Sequence, residues 1–147
     1  SEAQNVLDTK YGFTKVQRNI EIWLVKGKKF SYDEYQNAYE KAVMGYGKLA
    51  NEGSNSQAFA EIKQAIALWE SALKESDPKN KKARIDEDIT AATHLNLIEA
   101  YVWINDFSNA ELHLNKTKFL DINKFVKLAE KKRELVEDQK ARFNAQN

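Results

Sequence analysis

"THLNLIEAYVWINDFSNAELHLNKTKFLDI" (residues 93–122) holds two apolar stretches of helical period joined around Asn105-Asp106-Phe107. Two such stretches meeting at so short a turn predict a pair of antiparallel helices, and this hairpin sets the expectation for the rest of the chain.

Outward from the hairpin, the composition favours helix almost throughout: one proline (Pro78), five glycines, and abundant Ala, Leu, Glu, Lys and Gln. The pattern predicts an all-α fold with helices near residues 3–25, 32–50, 56–76, 87–104, 107–120 and 122–144. The first is the ambiguous one. Ile20, Ile22 and Leu24 alternate as in a strand, whereas Phe13, Val16, Ile20 and Trp23 recur at helical spacing, and the helical reading is adopted. Ser31 and Glu34 have the spacing of a capping box, which places the next helix start near Tyr32. Ile62, Ala65, Ile66, Trp69, Ala72 and Leu73 form one apolar face of the third helix, which Pro78 cannot continue. The polar segment from Ser76 to Asp88 is the longest expected loop. Asp86, Glu87 and Asp88 suit the start of the fourth helix, where the dipole favours negative charge.

At 147 residues the chain suits a single domain spanning 1–147. Lys and Arg number 23 against 22 Asp and Glu, so a net charge of +1 supplies no field for nucleic acid or anionic membrane. The absence of cysteine excludes disulfides, thiolate nucleophiles and Cys-ligated metal. No apolar run approaches the roughly 18 residues of a membrane span, and no leader opens the chain, which therefore reads as soluble. Beginning at Ser1 rather than Met, it reads as a processed mature chain or an excised piece; the compartment stays open, with export the expectation if a leader was removed.

Leu97, Tyr101, Ala110 and Leu114 fall where the tetratricopeptide-repeat pattern has Leu, Tyr, Ala and an aromatic, and the chain resembles that family, most clearly over residues 91–122. Asn105-Asp106-Phe107 is similar to the family's Gly-Asp-Tyr turn, with Phe107 wedged beneath it. Small Ala110 and Thr117 would let the two helices approach while Leu97, Tyr101 and Leu114 fill the space between. The match departs from the pattern at His94, Ile98 and Ile122, which stand where Trp, Gly and Pro are usual.

A shift of 52 residues maps Asn105 onto Gly53, Ala110 onto Ala58, Leu114 onto Ile62, Thr117 onto Ala65 and Tyr101 onto Leu49, which suggests a second, degenerate repeat. A rival register uses Ala65, Trp69 and Ala72 instead. The resemblance covers about residues 40–122, and its excess over the family period of about 34 residues is assigned to a lengthened third helix and the loop after it. Helices 3–25 and 122–144 then cap the ends of the stack. The ladder Ile122, Ala129, Val136 and Phe143 on the last helix also has coiled-coil spacing, but Lys132 and Gln139 break the companion seam; a capping helix with a solvent-projecting far end is preferred.

Chemistry is sparse. His94 and His113, the only histidines, lie on different helices and lack the H-E-x-x-H spacing of a zinc protease. His94 reads as a partly buried, hydrogen-bonded residue and His113 as solvent-facing. Paired carboxylates such as Glu134 with Glu137 and Asp138, or Asp86 with Asp88, fall in charged surface runs, where solvation removes the pKa separation that acid–base work needs. No phosphate-cradling glycine motif or nucleophile elbow is found. Asn115-Lys116-Thr117 forms a chance sequon, and the basic stretches Lys26–Lys29 and Lys79–Lys82 lack the aromatics that would stack bases. No enzyme, cofactor, metal or nucleic-acid partner is expected.

The resemblance implies a concave groove lined by the first helix of each hairpin, with Leu95, Glu99 and Val102, and Trp103 at its edge, as contacts for a protein or peptide partner. The same residues equally suit ordinary inter-helix packing, Leu95 and Val102 above all. The leading expectation is a non-enzymatic interaction scaffold, with a spacer or self-association domain of a larger exported protein second. A small-molecule binder using Trp23, Trp69 or Trp103 is a distant third.

Overall fold

A computed structural model describes residues 22–25, 28–75, 87–117 and 126–146. Among these residues the body is all-α. It is built from five helices: α1 (Tyr32–Glu52), α2 (Ser56–Glu75), α3 (Glu87–Trp103), α4 (Phe107–Thr117) and α5 (Val126–Gln146). The ends of α1, α2 and α3 fall within two residues of those expected from the apolar spacing, as do the start of α4 and the end of α5; the end of α4 and the start of α5 border residues outside those described. Residues 3–21, 76–86 and 118–125 lie outside the described residues, and with them most of the first expected helix and of the long loop.

That first helix needs correction where it is described. Ile22–Val25 forms strand β1, paired antiparallel with β2 (Lys28–Ser31) in the register Ile22↔Ser31 and Val25↔Lys28. The two-residue alternation decides here over the three-to-four-residue one. Ile22, Trp23 and Val25 are β-branched or aromatic, and the sequence between the paired ends is only Lys26-Gly27, a length and composition suited to a hairpin.

Both helical hairpins turn on a residue in the left-handed region, Gly53 (φ 77°) and Asn105 (φ 62°), the two positions that the 52-residue shift superimposes. The caps differ in kind. After α1 one bond closes the turn, Gly53 N–H to Leu49 O at 2.8 Å. After α3 there are three, Ile104 N–H to Tyr101 O at 3.2 Å and the Schellman pair of Asn105 N–H to Val102 O at 3.0 Å and Asp106 N–H to Tyr101 O at 2.9 Å. The following helices start on side-chain caps. Asn55 Oδ1 accepts from Ala58 N–H at 2.9 Å and Asp106 Oδ1 from Asn109 N–H at 3.2 Å.

Asn105 tolerates its conformation because a short polar side chain suits the left-handed region better than other Cβ-bearing residues do. Asn105→Ala is expected to lose about 1 kcal/mol of stability, whereas Asn105→Gly holds or gains. The midpoint of urea unfolding distinguishes them.

α1 packs along α2, and α3 along α4; α3 also touches both helices of the first hairpin, and α5 touches both helices of the second. The α1–α2 approach is close, since a Cβ added at Gly45 would stand 3.2 Å from Ile62 Cγ1. On α2, Ala58, Ile62, Ala65, Trp69 and Ala72 are all fully buried, so the small residues of both sequence registers face the core. α3 is the hub: every residue from Ala91 to Ile98 is buried, as befits a helix with neighbours on several sides.

The far end of α5 is exposed over residues 140–146, as expected, and is tied back to the body at two points. Phe143 packs its ring 5.6 Å from Phe107, and Lys140 Nζ reaches Glu111 Oε1 at 3.0 Å, fastening the helix to α4. The sevenfold ladder serves an intramolecular contact: Val136 is buried and Ala129 partly so. No described helix is long and apolar enough to cross a membrane.

Candidate functional site

The four residues expected to meet a partner sit on the last three turns of α3. Leu95 and Val102 are buried in the core, a placement that fits the packing reading given beside the binding one. Glu99 and Trp103 face the neighbouring first helices. Trp103 stacks on Tyr46 of α1 with ring centroids 5.7 Å apart and planes 14° from parallel. Glu99 Oε2 accepts from Lys132 Nζ of α5 at 2.9 Å, with the lysine side chain fully buried and the glutamate 14% exposed. A line of side chains therefore runs from α1 through α3 to α5. Burial, with Glu99 and Tyr39 adding to it, raises the Tyr46 hydroxyl well above its ordinary pKa and keeps it neutral.

A second cluster lies at the junction of α2, α3 and α4. His113, expected at the surface, is buried, and its Nδ1 stands 2.9 Å from Nδ1 of His94, a hydrogen-bond distance. Its Nε2 lies 3.0 Å from Glu70 Oε1, though off the N–H direction. Tyr101 O–H donates to Glu70 Oε2 at 2.7 Å, and its ring stacks on His113 with centroids 5.8 Å apart. The sequence signal for His113 was present: Ala110, Leu114 and Thr117 were read as inward-facing, and a residue three past Ala110 lies on the same stripe. Thr117 itself is partly buried and turns its hydroxyl back to Leu114 O at 2.6 Å.

The electrostatics follow from this geometry. The close approach of His113 holds the Glu70 carboxyl below its ordinary value against the opposing effect of burial; the hydrogen bond from Tyr101 and the charge of Lys116 act in the same sense. Burial, then the charges of His113 and Lys116, push His94 down to about 4 despite the attraction of Glu70. Burial and the bond to Glu70 raise the Tyr101 hydroxyl. Which of the two Nδ1 atoms donates to the other depends on the tautomers of the two rings. Among the described residues no group of three or more His, Cys, Asp or Glu is placed to hold a metal ion.

Comparison with protein-family models, with curated proteins and with solved structures finds no match.

Proposed function

We propose that the chain is a non-enzymatic helical-repeat scaffold for protein–protein interaction, whose contact face is the side formed by α1, α3 and α5. The supporting observation is the order of packing, in which each new first helix rests on both helices of the hairpin before it. That succession is the stacking logic of repeat proteins, in which first helices line one face and a terminal helix closes the array. It accords with the resemblance to tetratricopeptide repeats, and it makes α5 the closing helix. Glu99 and Trp103 belong to that face; Leu95 and Val102 contribute through packing beneath it.

A second reading, a spacer or self-association domain, is favoured by Lys132, because α5 already occupies the Glu99 carboxylate that a partner would use. The test compares proteins captured by the wild type with those captured by Trp103→Ala and Glu99→Gln, each checked for unchanged helicity by circular dichroism. Loss of a specific captured protein in either variant supports the interaction reading. An identical captured set, or sedimentation of the wild type as an oligomer that Trp103→Ala dissociates, transfers support to the second.

A further inference from the structure

We propose that the His94–His113 pair is a proton-gated latch within the second helical hairpin: a single hydrogen on the Nδ1···Nδ1 line holds α3 to α4, with Glu70 of α2 facing the pair, and protonation of both rings, which puts a hydrogen on each Nδ1, parts them. The latch is independent of the partner-binding reading. Its members come from both hairpins, Glu70 from α2, His94 and Tyr101 from α3, and His113 from α4. A separation of 2.9 Å between two Nδ1 atoms requires that one carry hydrogen and the other a free lone pair. If both rings are cations, both atoms carry hydrogen, so the bond becomes a clash between like charges.

Among the described residues the surroundings compensate one positive charge, not two. Glu70 faces His113, while Lys116 of α4 adds to the repulsion felt by His94. Asp106 acts on Tyr101. From α5, Lys132 and Lys140 are committed to Glu99 and Glu111. From α1, Tyr46 faces α3 as a neutral hydroxyl, with Tyr39 beside it. The Glu70 side chain is 37% exposed and His113 2%, so the carboxylate joins the buried pair to solvent and offers a path for proton exchange.

The sign follows from linkage. His94 is pushed down to about 4 in the fold against an ordinary 6.5, so the unfolded chain takes its proton first. Its stabilising contribution is complete above 6.5 and is lost as pH falls toward about 4; Glu70, also lowered, adds in the same direction at the acid end. Within that window the folding equilibrium constant is expected to fall roughly tenfold per pH unit.

The chain lacks cysteine, so spin labels at Met44→Cys on α1 and Leu112→Cys on α4, both exposed positions, report the displacement of α4 from the first hairpin. The expected result is a distance that lengthens and broadens as pH falls through the window in the otherwise wild-type protein. His94→Asn, whose amide donates to His113 Nδ1 without titrating, should hold the neutral-pH distance. A distance unchanged down to about pH 4, or an identical change in the His94→Asn background, overturns the latch. Should His94→Asn not fold, ring-proton NMR of the wild type decides: a His94 midpoint near 4 supports the latch, and one near 6.5 refutes it.

Discussion

Lys132→Ala is expected to lower the free energy of unfolding by about 3–5 kcal/mol, toward the lower end of that range. The ammonium is fully buried and 2.9 Å from Glu99 Oε2; removing it leaves a carboxylate with only 14% of its side chain exposed and, among the described residues, no compensating charge. The loss therefore measures an orphaned charge more than the worth of the pair, and Lys132→Met should lose a comparable amount although it keeps the packing volume. Combining Lys132→Met with Glu99→Leu replaces both charges by apolar groups and is expected to recover most of the loss. Urea unfolding followed by circular dichroism supplies all three values. If Lys132→Ala shifts stability by less than about 0.5 kcal/mol, the pair does not seat α5 on α3 as described.

The same pair marks where sequence reading runs out. The helices were legible because apolar residues recur along every described one, and the turn at Gly53 was legible by its correspondence to Asn105, since both meet the same left-handed geometry. Lys132, by contrast, looked like a break in an apolar seam, and Glu99 like a charge awaiting a partner. Each explains the other, but they stand 33 residues apart, and no local period links residues at that range. His113 was misplaced for a related reason. A histidine's polarity argued for solvent, yet helical geometry placed it beside Ala110 on the inner stripe, and its partners come from two other helices. The strand at Ile22–Val25 was missed because its alternation spans few residues and overlaps a helical period, the case in which local pattern decides least.

Trp69→Ala is the other change expected to unsettle the whole body, by about 3–5 kcal/mol. Trp69 is the largest fully buried side chain among the described residues, and it sits on α2, the helix that pairs with α1 and also receives α3. Truncation removes the indole's apolar area and opens a cavity that rigid helices cannot collapse to fill; the cavity is part of the cost. Trp69→Phe leaves a smaller void and should fall well short of the alanine loss. With the total stability of a domain usually about 5–15 kcal/mol, the alanine variant is expected to melt roughly 10 °C or more below the wild type. Met44→Ala, on the neighbouring helix at a side chain 63% exposed, should change stability by less than about 0.5 kcal/mol and serves as the matched control. Calorimetry of the three variants orders them, and a Trp69→Ala loss no larger than that of Met44→Ala would mean that the α2 stripe is not the floor on which the second hairpin rests.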